Sequence, residues 1–557
     1  MSPYTSPLAL GFVAFRLIAV AVGLASLVWL WRRPRPRLAL GLVLALNLAG
    51  WAAYVSPLQR LYGLDQNTDR SFNLGMARSV ASGVSPLQHT QVGFASPEPF
   101  WNLAIAALAL FRPAGVDAVF HLLPPLTILA VSLGLFLGLR TSAADANDEW
   151  ERVLMVFAVL ALASLTMNPK PPLPLFWPAS FLLKPNHTMA WGLFGVVVGL
   201  RARSPGRFLS CGLALGLMAW VFLVDWAYVL VGLVLGAWRM PAEERRWRPL
   251  SLALGVSAVI ALPFVVHLGR DYNPADRSQA ARHMWADRGL GPALSVPTWS
   301  TLDLGPLLVL GTLGLVFLIR RASARDRVLV GLVLGAWGLW LISMPAALLG
   351  LAPEPDDLHY YLRFVMALAA GGGLAAAARH LEAWRGLRVG QGHVLVLATC
   401  LPISFVAYFD PPSMDRHFTR SLDPVKPKIQ AYARWVRENT EPTAIFLGGR
   451  SSAAWIPALA GRQVLLAPGG ALIPGDIAER KRVERALLTE VDPDLVRRAA
   501  ARYQVTHLAL DESLLPEYGA KTFYDLARSP AFETLYADST VRIVGFRSEG
   551  PRRERSP

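Results

Sequence analysis

The stretch from Leu8 to Trp31 is almost wholly apolar and runs directly into Arg32-Arg33-Pro34-Arg35-Pro36-Arg37. An upright helix needs about 20 apolar residues to cross a bilayer, and this run supplies them. Further runs of spanning length or near it fall at 37–55, 97–111, 117–139, 152–167, 187–200, 208–224, 226–238, 249–267, 301–319, 328–349, 359–378 and 393–408. A chain of 557 residues that is 54% hydrophobic with mean hydropathy +0.38 is too apolar for one soluble core. It reads as a polytopic α-helical membrane protein. The first run is too long for a signal-peptide core and lacks a charged region before it, so it reads as a retained membrane helix.

The net charge of +15 sits largely in short loops between these runs. Such arginines are topology signals rather than a nucleic-acid surface, and they place the loops at 32–37, 201–207, 239–248, 320–327 and 379–388 in the cytoplasm. The outer side then receives 56–96, 168–186, 268–300, 350–358 and everything after 409. Loops 32–37 and 201–207 agree only if one early run does not cross, and the short segment 99–111 is expected to be half-inserted. About 12 spans result, with both termini outside. The two cysteines, Cys211 and Cys400, fall inside expected spans, so neither a disulfide framework nor a cysteine metal site is available.

Past Phe409 the composition changes. "PKIQAYARWVRENTEP" has helical period, "TAIFLGG" reads as a buried strand, and the helix-then-strand order repeats through "SSAAWIPALAG", "RQVLLAPGG" and "DPDLVRRAAARYQVTHLALDE". "STVRIVGF" closes with an alternating strand. The expectation is a transmembrane domain over 1–409 and an extracytoplasmic α/β domain over 410–557. Its Gly-Gly pairs read as turn glycines, since no G-x-G-x-x-G follows a strand.

The polar residues of interest collect in the outer loops. In loop 56–96, Phe72, Met76, Val80 and Val84 recur every four residues, which predicts a helix lying on the membrane interface with this stripe down and ended by Gly83. Asp69 stands at its start, either as a capping group or as a carboxylate able to take a proton from a hydroxyl. Lys184 and His187, in a Pro-rich loop with Lys170 and Asn186, suit a phosphate ligand or an interfacial anchor. Asp225 falls at an outer turn, where an acid so near the membrane is costly unless it faces water or a partner. The loop 269–292, with Tyr272, His283 and Trp285, is either a cover over a cavity or a solvated connector. His187, His283 and His359 have no close metal-ligand spacing.

"TDRSFNLGMARSVASG" followed by "GFASPEPFWNLAIAAL" resembles the first external loop of GT-C-fold glycosyltransferases that use polyprenyl-phosphate sugars. The likeness is to the bacterial arabinofuranosyltransferase-like and mannosyltransferase-like branch. Aligning Ala77-Arg78 and Gly83 with that pattern places Asp69 on the second of two aspartates and Thr68 on the first, with Asp65 as the remaining acidic candidate. In "PDDLHYYLRFVMAL", Asp357 and Arg363 carry the six-residue Asp-to-Arg spacing found at the outer start of a late helix in related chains. His359 lies between them. Where relatives often have Glu at the helix following the Pro-rich loop, this chain has His187.

The resemblance implies transfer of a sugar from a polyprenyl-phosphate donor to an extracytoplasmic glycan, lipid or protein acceptor, with inversion, at the inner (plasma) membrane. It implies Asp69 or Asp65 as catalytic acid-base group and, through the Asp357-to-Arg363 spacing, Arg363 as donor-phosphate ligand; from the residues themselves, His187 and Lys184 are further phosphate-ligand candidates, and Asp225, Asp357 and His359 are candidates for cavity lining. No metal ligands are assigned, and a divalent cation is the one cofactor left open. Two other readings stand beside it: a transporter or flippase of a lipid-linked saccharide, and a non-catalytic relative with the same scaffold, suggested by Thr68.

Overall fold

The computed structural model describes residues 7–50, 52, 69–88, 90–92, 103, 107, 115–140, 146–162, 205–241, 247–271, 304–348, 356–406, 427–466, 476–490, 492–516, 518–519, 526, 529 and 531–547. The helices are, in order, α1 (Pro7–Arg32), α2 (Pro36–Gly50), α3 (Asp69–Ala81), α4 (Gly115–Gly138), α5 (Ala146–Phe157, continued by a π-turn over Ala158–Leu162), α6 (Pro205–Val221), α7 (Leu223–Trp238), α8 (Trp247–Asp271), α9 (Pro306–Arg321), α10 (Ala324–Leu348), α11 (Asp356–Arg385) and α12 (Gln391–Val406). Then follow α13 (Pro427–Asn439), β1 (Ile445–Gly448), α14 (Arg450–Trp455, continued by a π-turn over Ile456–Ala460), β2 (Gln463–Val464), α15 (Ile477–Thr489), α16 (Pro493–Tyr503), β3 (His507–Asp511), β4 (Phe532–Ala537) and β5 (Val541–Phe546). These form two compact units, one of residues 1–61, 121–266 and 274–422, the other of 62–120, 267–273 and 423–557. By contact, residues 62–120 group with residues 423–557.

In the first unit the apolar runs are helices packed through small residues, as close helix approach in a membrane requires. A Cβ on Gly314 of α9 would overlap the Ala369 carbonyl of α11, and one on Gly331 of α10 would overlap the Gly236 backbone of α7. The contacts also give directions. Gly212, Gly216 and Trp220 of α6 meet Val256, Ile260 and Phe264 of α8 in ascending order, so those helices run parallel. Gly311 and Gly314 of α9 meet Met366 and Ala369 of α11, again parallel. In contrast Gly232 of α7 meets Leu332 of α10 while Gly236 meets Val328, so that pair is antiparallel. The fold places Leu17, Val259, Leu262, Leu313 and Ile342 outward with more than half of each exposed, an apolar exterior that a soluble monomer does not tolerate over large patches. Among the described residues, two helices, 247–269 and 361–385, combine the length and hydropathy to cross a membrane, with shorter apolar helices beside them. The segments 97–111 and 187–200 lie outside the described residues apart from Leu103 and Ala107.

One end of this unit is ionic. Arg321 of α9 donates to both Glu151 oxygens of α5 at 2.6 and 2.7 Å and to Asp326 of α10, Arg325 bonds Glu151 and reaches Asp148 at 2.9 Å, and Arg379 of α11 bonds Glu151 at 2.9 Å. Arg37 at the start of α2 pairs with Glu149, and Gln391 at the start of α12 bonds the Trp31 carbonyl at the end of α1. The basic loops at 32–37, 320–327 and 379–388 therefore meet at one end, together with the end of α4, whose Leu139 carbonyl accepts from Arg325.

The second unit is built on a mixed sheet of order β2-β1-β3-β5-β4, parallel across the first three strands and antiparallel across the last two. Strand alternation divides its core. Ile445, Leu447, Leu508, Leu510 and Val544 face Val483, Leu487 and Val496 of α15 and α16. Phe446, Ala509 and Ile543 face Ile429, Tyr432 and Val436 of α13 and the segment around Trp455. The expected helix-then-strand order is thus present. Gly448 and Gly449 make a strand-to-helix turn whose space is filled from within, since Asp511 accepts from the Ser452 and Ser513 amides at 2.6 and 2.9 Å.

Candidate functional site

The candidate site residues divide between the two units. In the first, the ends of α7 and α11 remote from the ionic cluster hold a buried polar group. Phe222 adopts an extended conformation (φ −159°) that separates α6 from α7, and Asp225 follows in the first turn of α7 with 0% exposure. Three residues on, Tyr228 stacks on Tyr361 of α11, ring centroids 4.8 Å apart and 20° between planes. Asp225 lies within electrostatic reach of the same Tyr361 phenol. Arg363, two residues further along α11, is 4% exposed. Asp225 and Arg363 are thereby both interior residues at the same end of one helical unit. A guanidinium and a carboxylate sequestered this deeply carry a desolvation cost that polar surroundings must offset.

Asp357 and His359 lie in the first turn of α11, and their side chains are outside the described residues, as are Asp65, Lys170, Lys184, Asn186, His187, Tyr272, His283 and Trp285 altogether. Among the described residues no three His, Cys, Asp or Glu side chains gather into a cation site.

In the second unit Asp69 is the first residue of α3, as the sequence predicts, and Gly83 ends the helix at φ +100°. The end is a paired-carbonyl turn, with Gly83 N–H donating to Val80 at 3.0 Å and Val84 N–H to Ser79 at 3.0 Å, a geometry that needs the left-handed residue glycine supplies. The Asp69 side chain is outside the described residues.

The surface covered by α3 differs from the expected membrane-facing stripe. Met76 is buried as predicted, but Val80 and Val84 are partly exposed, while Leu74, Gly75, Ala77 and Ser79 are buried instead. The partner is protein: α3 packs on the π-turn Ile456–Ala460. A Cβ on Gly75 would come within 3.1 Å of Pro457, Arg78 donates to the Leu459 carbonyl, and Ser79 Oγ donates to the Gly461 carbonyl at 3.4 Å. Apolar periodicity reports that a face is covered and not by what, so an interfacial helix and a domain-docked one have the same sequence signature.

Beyond the helix the same loop joins the sheet. Val464 N–H donates to the Thr90 carbonyl at 2.8 Å and Val92 N–H to the Val464 carbonyl at 3.0 Å, a parallel bridge along the free edge of β2. Arg480 of α15, 1% exposed, completes the junction. Its Nη2 donates to the Val92 carbonyl at 2.7 Å, its Nη1 to Leu465 at 2.8 Å and its Nε to Asp476 at 2.7 Å, while its guanidinium lies 4.9 Å from the Tyr503 ring centroid. Burial raises the Asp476 carboxyl, but the hydrogen bonds from Arg480 and Tyr503 outweigh it and hold the group below its ordinary value. Sequence reasoning missed Tyr228, Tyr361 and Arg480. The first two lie inside the segments "VDWAY" and "HYYLR" already marked by their charges, and Arg480 sits among other arginines of an amphipathic helix with nothing local to distinguish it.

The fold is that of the GT-C glycosyltransferases. The chain is similar to ArnT from Cupriavidus metallidurans in the apo state, at 13% identity over 90% of this chain and 97% of that one, with a TM-score of 0.50. It is similar to the arabinofuranosyltransferase AftD from Mycobacteria at 16% identity, covering 91% of this chain and 40% of the other, TM-score 0.52. The Archaeoglobus fulgidus oligosaccharyltransferase in its apo form matches at 16% identity over 89% of this chain and 72% of its own, TM-score 0.50. No family model and no curated protein matches the chain in sequence.

Proposed function

We propose that this chain is an integral-membrane glycosyltransferase of about 12 spans that moves a sugar from a polyprenyl-phosphate donor to an acceptor outside the plasma membrane. In this reading the acidic and basic groups of the transfer lie at the outer side and the arginine-rich end of the helical unit faces the cytoplasm. The observation that carries it is the burial of Arg363 and Asp225 at the end of the unit remote from the ionic cluster, in a chain of GT-C fold. Interior ions at one bundle end suit a site for a charged lipid headgroup better than a midplane transport path, where ionisable residues sit near the bilayer centre.

Asp69 takes the proton of an acceptor hydroxyl as the acceptor oxygen bonds to the anomeric carbon. The bond from that carbon to the phosphate oxygen breaks, and polyprenyl phosphate leaves with the electron pair. Attack opposite the leaving group inverts the sugar configuration. Arg363, with His187 or Lys184, neutralises the leaving phosphate, since a planar fork of donors matches its oxygens and preorganised positive groups act where charge develops. Asp225, Asp357 and His359 line the cavity, and the C-terminal domain positions the acceptor.

The test is transfer of radiolabel from polyprenyl-phosphate sugars by the purified full-length protein. Asp69→Asn and Arg363→Ala are expected to insert in the membrane normally and to lose at least ~100-fold in rate. Full activity in Asp69→Asn overturns the mechanism, and loss confined to Asp65→Asn moves the base four residues along the loop.

A further inference from the structure

The outer loop that carries Asp69 is held to the C-terminal domain at two places, the π-turn before β2 and the edge of β2 itself. The docked helix rests on the π-turn before the strand through Gly75, Arg78 and Ser79. Residues 90–92 then extend the sheet at the strand itself. An added strand of this length, with one bridge, is weak alone. What secures it is Arg480, whose two terminal nitrogens reach the Val92 carbonyl on the loop and the Leu465 carbonyl on the domain, 2.7 and 2.8 Å away.

The guanidinium is itself fixed on its remaining side. Asp476 holds Nε, and Tyr503 donates its hydroxyl to the second Asp476 oxygen at 2.6 Å while its ring lies beside the guanidinium. Such a side chain, almost fully buried with its fork aimed at two carbonyls from segments 373 residues apart, has one evident consequence: it couples the loop to the sheet.

We propose that Arg480 is a positioning residue for the transfer reaction: through the Val92 carbonyl it latches residues 90–92 to the sheet, anchoring the chain that leaves α3 and so helping to hold against the domain the helix that Asp69 begins. This rests on the reading of Asp69 as the base. Arg480 touches no reactant, and its effect passes through the loop. Misplacement of a catalytic group by about 1 Å can cost on the order of 100-fold in rate, so loosening the latch lowers turnover while leaving donor binding at the other unit's Arg363 unaffected.

The experiment combines hydrogen exchange with steady-state kinetics on the full-length protein in nanodiscs. Arg480→Ala is expected to raise exchange at the amides of Val92 and Val464 and across 84–92, to leave the Leu508 and Val544 amides protected, and to lower kcat about 10- to 100-fold with donor KM unchanged. Arg480→Lys, which keeps the charge but not the planar fork that reaches both carbonyls, is expected to recover part of kcat. Val92→Pro removes the loop's own amide donor without touching the domain, and should Arg480→Ala fail to fold it is expected to raise exchange at the Val464 amide and across 84–91 and to lower kcat likewise. Loosened exchange with unchanged kcat overturns the positioning role and leaves the transferase reading intact. Exchange at 84–92 unchanged in both variants overturns the latch. A wild-type protein with no transfer from any polyprenyl-phosphate sugar removes the transferase reading, and with it the positioning role, whatever the exchange pattern shows.

Discussion

Glu151 shows how much a single side chain is asked to do in this fold. It is 2% exposed and accepts from three arginines that come from α9, α10 and α11. Burial pushes its carboxyl up, but the hydrogen bonds from Arg321 and the charge of Arg325 prevail and hold it at about 2, against an ordinary value of 4.5. A carboxyl lowered on folding stabilises the fold fully above about pH 4.5, and that contribution drains away as pH falls toward 2. The shift corresponds to ~3 kcal/mol. Thermal unfolding of the detergent-solubilised protein is therefore expected to weaken between pH 4.5 and the lowest workable pH, and Glu151→Gln to lose about 3–5 kcal/mol at pH 7 by leaving buried arginines unmatched. A wild-type midpoint flat across that range, equal to that of Glu151→Gln, would show that the cluster does not hold the helices. None of this was legible in the chain: the partners lie 170 to 228 residues away, and arginines in short loops are sufficiently explained by topology. Arg363 is marked in the sequence by its six-residue spacing from Asp357, and the structure adds that it is buried.

At the scale of the element, close helix packing is written in glycine. Gly314 leaves no room for a methyl group against the Ala369 carbonyl, whereas Gly338 of α10 has nothing within 4 Å of where a Cβ would be. Gly314→Ala is expected to destabilise the solubilised protein by about 1–3 kcal/mol through forced separation of α9 from α11. Gly338→Ala, with its better helix propensity and open surroundings, is expected to be neutral or to stabilise by up to about 1 kcal/mol. Equal midpoints for the two variants would contradict the packing. The apolar runs read as helices because length and composition alone define a span. The break at Phe222 was placed within a few residues by the charge of Asp225. The face of α3 was not legible for a physical reason: Leu74, Gly75, Ala77 and Ser79 are too small or too mixed in polarity to announce burial, yet small residues are what permit a helix to lie close on a π-turn.

For the whole molecule, the sequence divides at its change of composition and the structure divides by contact, and the two differ over one loop. Residues 62–120 lie far from 423–557 in the chain and belong with them in space. Sequence reading assigns a loop to the spans that flank it, and pairing across hundreds of residues leaves no local trace. The orientation remains an expectation with a direct check. In a background lacking Cys211 and Cys400, a cysteine in place of Arg482, whose side chain is 78% exposed, is expected to react with a membrane-impermeant maleimide in intact cells. One in place of the exposed Arg33 should react only after permeabilisation. The reverse pattern would turn the protein over in the membrane.

The bridge between Val92 and Val464 also sets a timetable for biosynthesis. The loop residues leave the ribosome 372 residues ahead of the strand that receives them, an interval of roughly 20–75 s at 5–20 residues per second. Throughout that time the amide and carbonyl groups of residues 90–92 wait for a partner that has not yet been made. The sheet acquires this edge member only once β2 has been synthesised, so the segment following Asp69 takes its final place long after it has itself been made.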